Sequence, residues 1–202
     1  MKVEPSLEVV RDLVARIRAT GVPYFVVGGQ AVQSEVSAST TDVDVMVAVR
    51  DFDTLILRLK GDEKFGTPVR APWIAKYAVH TGPRHDDETE VDVLNGRRYC
   101  GNRKPDEFFD YILEHWTIET DLGPSARIAV VWYTRLLARH RGDVYLYKIA
   151  RDRRAGAPLR YLDDVRTIAD RFGTQREIDS QIARLKEILG EDDGPSRSAA
   201  RE

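Results

Sequence analysis

Two aspartates two residues apart, Asp42 and Asp44, alternate with valines in the segment TTDVDVMVAV. Residues i and i+2 of a β-strand project from the same face with Cα atoms about 6–7 Å apart, so the two carboxylates can converge. Two such charges about 4 Å apart repel by about 4 kcal/mol at an effective dielectric constant of 20. Mg²⁺ prefers oxygen ligands and commonly binds through one or two carboxylates plus substrate phosphates. The pair therefore indicates a Mg²⁺-nucleotide site, although a solvated pair at a strand edge has the same pattern.

A glycine pair, Gly28 and Gly29, closes the apolar run Tyr24–Val27. β-branched and aromatic residues followed by two glycines predict a buried strand that enters a tight turn, with a helix over residues 30–35. Glycine allows close backbone approach, and the first turn of a helix directs unpaired N–H groups at whatever binds there. Phosphate oxygens fit such a corner, and an ordinary turn is the alternative.

The stretch VVGGQAVQSEVSASTTDVDVMV resembles the nucleotide-binding signature of the DNA polymerase β-like nucleotidyltransferases. Positions 30–41 separate Gly29 from Asp42, which is the spacing of AbiEii-type toxins and related minimal bacterial nucleotidyltransferases. The resemblance implies an α/β (α+β) nucleotidyltransferase fold: a mixed β-sheet flanked by helices, with a C-terminal helical extension. It also implies Mg²⁺ or Mn²⁺ as the cofactor and a nucleoside triphosphate as a partner.

In such proteins a third carboxylate stands on a neighbouring strand, and EVDVL offers Asp92, with Glu90 as the alternative on the same face. The resemblance implies that Asp42, Asp44 and Asp92 are both metal ligands and catalytic residues. Asp42 and Asp44 would bind two ions, and Asp92 would share one of them and help to deprotonate the attacking hydroxyl.

The resemblance also implies a nucleotide-binding set of Gly28, Gly29, Thr41 and Lys148. Lys148 is the phosphate-contacting lysine in KIARDRRAGAPLRYLDDVRTIAD, which is similar to a later helical motif of the family. A solvated basic helix face is an equal alternative for this segment.

Two positions depart from the family pattern. Ala38 stands where family members often have an arginine, and Tyr161 stands where the later helix has an aspartate, three positions before Asp164. The first departure bears on substrate orientation and the second on the AbiEii mechanism. Neither removes a metal ligand.

Hydrophobic periodicity predicts the elements that must position these residues. Strands are expected over residues 24–27, 42–49, 74–80 and 88–94 and near 117 and 127, and helices over 7–20, 30–35, 51–60, 106–113, 131–140, 143–154, 159–171 and 174–189. We therefore expect an α/β core at 1–130, a helical region packed on it at 131–190, and a disordered tail at 191–202.

The chain has 202 residues, 42% of them hydrophobic, and a net charge of -2, so the total charge does not indicate a strongly basic nucleic-acid protein. A single cysteine, no signal sequence and no apolar run of about 20 residues favour a cytoplasmic protein without a membrane partner. A local arginine excess either faces RNA or pairs with acidic residues; its members are Arg135, Arg139, Arg141, Arg151, Arg153, Arg154, Arg160 and Arg166.

These observations predict transfer of a nucleoside monophosphate from a triphosphate to a hydroxyl of RNA, tRNA or a protein. A toxin role with a cognate antitoxin as partner is consistent with that activity. The alternatives are a catalytically inactive nucleotidyltransferase-like binding or toxin-antitoxin module, and a likeness of fold alone.

Overall fold

A mixed sheet of seven strands forms the centre of the part of the chain that the structure describes. The computed structural model describes residues 5–37, 40–81, 87–99, 104–138 and 142–190, so Ala38 and the tail 191–202 lie outside it. The strands are β1 (Tyr24–Val27), β2 (Asp42–Val47), β3 (Val69–Ala71), β4 (Ile74–His80), β5 (Glu88–Asn95), β6 (Thr117–Thr120) and β7 (Gly123–Ala126). Their order is β3-β4-β5-β2-β1-β7-β6. Strand β2 runs parallel to β5 and antiparallel to β1, so the expected mixed sheet is confirmed.

Helices flank this sheet, and local signals explain several of their ends. Ser6 caps the first helix by accepting a hydrogen bond from the Val9 amide at 3.3 Å. Gly173 ends the seventh with φ 64°, a left-handed conformation that glycine adopts without strain. The helices are α1 (Leu7–Ala19), α2 (Gly28–Gln33), α3 (Val49–Leu59), α4 (Pro105–His115), α5 (Ile128–Leu137), α6 (Val144–Arg154), α7 (Tyr161–Phe172) and α8 (Gln175–Leu189), and a 3₁₀ turn covers Gly96–Arg98.

Each face of the sheet has its own hydrophobic core. Val43, Val45 and Val47 of β2 pack into the cluster that includes α1 and α3. Met46 packs into the larger cluster that includes α4 to α8. Because strand residues alternate between faces, Asp42 and Asp44 lie on the same side as Met46, which is the side of the C-terminal helices.

The predicted elements and the observed ones differ at several places. Helix α2 begins at Gly28 rather than at 30, and β2 ends at Val47, so that Val49 begins α3 instead of continuing the strand. Strand β3 was not predicted, because its three residues are largely exposed and show no alternation. Helix α5 begins at Ile128 rather than at 131, and the extended backbone of Arg127 precedes it. None of the helices in the described ranges combines the length and apolar character needed to cross a bilayer.

A buried ion pair joins α5 to α6. The Asp152 side chain is fully buried and accepts hydrogen bonds from the Arg135 guanidinium and, at 3.2 Å, from the Trp132 indole N–H. Arg151 contacts the other carboxylate oxygen at 3.3 Å. Removal of one partner from a buried pair is costly because the remaining charge stays buried without compensation.

We therefore expect Asp152→Ala to lower the free energy of unfolding by about 3–5 kcal/mol, measured by urea denaturation. Asp163→Ala is the matched control, since its carboxylate is 77% exposed and pairs with Arg166 only at the surface. We expect that control to change stability by less than about 1 kcal/mol. Equal effects of the two substitutions would contradict the assigned role of Asp152.

Candidate functional site

Four carboxylates occupy one face of the paired strands β2 and β5. The parallel register places Asp42 opposite Glu90 and Asp44 opposite Asp92. All four side chains line the same cavity. The structure therefore brings together the three carboxylates that the sequence predicted, and also the alternative Glu90.

The glycine corner packs directly against these carboxylates. A Cβ on Gly28 would lie 1.9 Å from Asp44 Oδ2, and Gly28 has φ +72°, a left-handed conformation. A Cβ on Gly29 would lie 2.3 Å from Thr40 Oγ1, and that hydroxyl donates to Asp42 Oδ1 at 2.6 Å. Both glycines are therefore required by close packing. Helix α2 has 6 residues, so the corner acts here through close approach rather than through a long helix dipole.

Lys76 on β4 is a further charged residue of this face. The antiparallel register of β4 and β5 places it opposite Asp92. Its Nζ donates to Glu90 Oε1 at 2.6 Å and to Asp92 Oδ2 at 2.7 Å. Asp92 is 7% exposed, and its other oxygen, Oδ1, is buried without a hydrogen-bond partner among the described residues.

The cavity has a volume of about 830 Å³ and lies between this sheet face and helices α5 and α6. The predicted nucleotide-binding residues Gly28, Gly29, Thr41 and Lys148 all line it. Its second wall carries the cations Arg135, Lys148 and Arg151, so the acidic sheet face lies opposite a basic helical wall. The Lys148 ammonium stacks on the Tyr145 ring at 5.5 Å from its centroid.

Burial and repulsion between like charges raise the pKa values of two of the acidic residues. Burial raises the pKa of Asp44 well above its usual value, and the nearby charges of Asp42 and Asp92 raise it further, against the opposing effect of Lys148. Burial also raises the pKa of Asp92, and the hydrogen bond from Lys76 counteracts part of that shift. Burial lowers the pKa of Lys76, but the hydrogen bonds to Asp92 and Glu90 outweigh burial and raise it.

Sequence reasoning did not assign Lys76, Arg135, Arg151 or Trp73 to the site, yet all four line the cavity. A lone lysine within the apolar strand IAKYAVH was the available signal for Lys76, but its partner depends on strand register. The two arginines were part of the recognised basic excess. Trp73 carries no motif signal, and it is 40% exposed at the cavity.

The donor set is suited to a hard divalent cation, which takes oxygen ligands. Two observations are consistent with such an ion. Asp92 Oδ1 has no hydrogen-bond partner among the described residues, and Gly28 leaves the space next to Asp44 Oδ2 free of a side chain. With the side chains as they stand, no group of three or more His, Cys, Asp or Glu residues in the described ranges is arranged to hold a metal. Two oxygens of β5 are instead engaged by Lys76.

A side chain at position 28 should damage both fold and site. We expect Gly28→Ala to lower the unfolding free energy by about 1–3 kcal/mol, because of positive φ and the clash with Asp44. Thermal unfolding measures this change, and Gly66→Ala is the control, since a Cβ there meets nothing within 4 Å. A Gly28→Ala protein as stable as the control would refute the packing argument.

The charge of Asp44 should cost stability at neutral pH. Because its pKa is raised in the folded chain, the folded state binds the proton more tightly than the unfolded state. Stability therefore falls as pH rises from the usual aspartate pKa of about 3.9 through the raised value. We expect Asp44→Asn to unfold at a higher temperature than the wild type at pH 7 without divalent ions, with the difference shrinking below about pH 4. Asp163→Asn should show no such gain.

Comparisons with known proteins agree on the fold. No protein-family model matches the chain, and no curated protein matches it in sequence. An antigenic nucleotidyltransferase-like protein from Paracoccidioides brasiliensis is similar with a TM-score of 0.56 and 16% identity, over 91% of this chain and 88% of its own. ANT(2'')-Ia in complex with adenylyl-2''-tobramycin has a TM-score of 0.42 and 12% identity, over 91% of this chain and 99% of its own. The first of these likenesses shows that the chain has the fold of nucleotidyltransferase-like proteins, as the sequence predicted.

Proposed function

We propose that this chain is a metal-dependent nucleotidyltransferase that transfers a nucleoside monophosphate from a triphosphate to an acceptor hydroxyl. The observation that carries the proposal is the strand register that sets Asp44 beside Asp92, with Asp42 on the same face and next to a glycine corner. A carboxylate cluster of this kind is costly by itself, and a Mg²⁺-nucleotide complex offsets that cost.

The opposite wall supports a triphosphate as the ligand. Lys148 and Arg151 are on α6. Arg135 is on α5, and its guanidinium is hydrogen-bonded to Asp152 of α6. Phosphoryl transfer depends mainly on positioning and on neutralisation of phosphate charge. We expect these cations to contact phosphate oxygens from the side of the cavity opposite the carboxylates.

The transfer assigns separate tasks to residues of this chain. Asp42 and Asp44 would hold Mg²⁺ or Mn²⁺, which would supply neutralisation of the phosphate charge. Asp92 would accept the proton of the acceptor hydroxyl, a role favoured by its raised pKa and by its position on the cavity wall. The acceptor oxygen forms a bond to the α-phosphorus, the bond to the bridging oxygen breaks, and pyrophosphate leaves with that electron pair.

The acceptor class is part of the proposal. A hydroxyl of RNA or tRNA is the first candidate, and the cavity-lining arginines support a polyanionic acceptor; a protein hydroxyl is the second. The toxin role and a cognate antitoxin rest on the AbiEii-like motif alone. Tyr161 stands where the later helical motif of the family has an aspartate. Its hydroxyl donates to Glu35 Oε2 at 2.6 Å, and its ring packs edge-on against Trp132. That position therefore serves packing between helices in this chain.

The proposal is tested by binding of Mg²⁺ with a non-hydrolysable triphosphate, followed by turnover of labelled triphosphates with RNA and protein acceptors. We expect Asp42→Asn combined with Asp44→Asn to abolish turnover and to weaken nucleotide binding at least about tenfold, because both proposed metal ligands are lost. Asp53→Asn combined with Asp163→Asn removes the same number of charges at exposed positions and should retain both properties. Unchanged nucleotide binding in the site variant would exclude the proposal.

A second candidate is a nucleotide-binding module without catalysis. The contact between Lys76 and Asp92 Oδ2 favours it, because that oxygen is already engaged. Binding that depends on Asp42 and Asp44, with no labelled product on any acceptor, would support this candidate. Turnover on any acceptor that is lost in the double variant would exclude it.

A further inference from the structure

Lys76 brings a permanent positive charge onto the acidic sheet face. It lies on β4 directly opposite Asp92, and its Nζ is within hydrogen-bond distance of one oxygen of Glu90 and one of Asp92. Glu90 and Asp92 are two residues apart on β5 and project from the same face. The ammonium therefore bridges them where a shared cation would otherwise be expected.

The contact with Lys76 makes the two carboxylate oxygens of Asp92 different. Asp92 Oδ2 is taken by Lys76, whereas Asp92 Oδ1 is buried and has no hydrogen-bond partner in the described part of the chain. A lysine ammonium donates hydrogen bonds but cannot ligate a metal, and it repels a divalent ion twice as strongly as a monovalent one. An ion bridging Glu90 and Asp92 would have to displace Lys76.

The other cations of the cavity do not substitute for Lys76. Arg135 and Arg151 both contact Asp152 on the helical wall, and Lys148 stacks on Tyr145. Lys76 forms ion pairs with both β5 carboxylates of the cavity. Its charge offsets one of the four acidic charges on the face.

We propose that Lys76 is a resident cation that holds Glu90 and Asp92 and limits this site to one divalent ion, bound on the Asp42 and Asp44 side. This inference rests on the proposed function, because it concerns the same site. It departs from the two-ion arrangement that the sequence resemblance implies. Lys76 is thereby a positioning residue for Asp92, since it holds Oδ2 and so fixes the orientation of the carboxylate.

The test counts Mn²⁺ ions bound to the full chain, by electron paramagnetic resonance of free Mn²⁺ in a titration with Mn²⁺ alone. We expect one ion in the wild type and two in Lys76→Met. The affinity for Mn²⁺ should rise about tenfold in the variant, because a positive charge next to the carboxylate ligands has been removed. Lys76→Arg retains the charge and should bind one ion. Lys104→Met is the matched control, because it breaks a lysine–glutamate pair of 2.7 Å outside the cavity and should also bind one.

Two further variants keep the test decisive. Lys76→Gln retains a hydrogen-bond donor for Asp92 and replaces the methionine variant if that variant does not fold; it should also bind two ions. Adding Glu90→Gln to Lys76→Met should remove the second ion and leave the first.

Each outcome separates this inference from the proposed function. Two ions in the wild type, or one ion in both Lys76→Met and Lys76→Gln, would overturn the role of Lys76 while metal binding itself stands. Absence of Mn²⁺ binding in the wild type and in every Lys76 variant would overturn both proposals.

Discussion

Repulsion between like charges on one sheet face is the constraint around which this site is organised. Two strands in parallel register, β2 and β5, place four carboxylates side by side, with Asp92 buried and Asp44 partly buried. Charges in such surroundings are tolerated only when cations lie near them. The cavity provides cations from two directions: Lys76 within the sheet, and Lys148 from α6 above it.

The surrounding packing makes this unfavourable arrangement possible. Hydrophobic clusters cover both faces of the sheet, and the valines that alternate with the aspartates of β2 are completely buried. The buried pair of Arg135 and Asp152 fixes α5 against α6, so the basic wall is held at a set position over the carboxylates. Stability supplied by the cores thus offsets the electrostatic cost of the site, a common relation between stability and function.

Local pattern predicted much of the fold and most of the site. Alternating valines identified β2 and β5, helical periodicity located the helices, and the motif spacing led to the carboxylates and the glycine corner. Strand β3 was not predicted, because its three largely exposed residues show no hydrophobic periodicity. Arg135 and Arg151 were visible only as members of a basic excess, since a charge count does not distinguish an arginine in a cavity from one at a surface pair.

The sequence by itself determined which residues share a strand face, because side chains alternate with a period of two whatever the strand pairs with. It also determined the glycine corner and its distance along the chain from Asp42. Only the tertiary structure decided that Asp44 lies opposite Asp92 and that Lys76 lies opposite Asp92 on the other side. Register between strands far apart in the chain depends on how the whole sheet packs against its helices, and one residue of slip would have moved these charges to the opposite face.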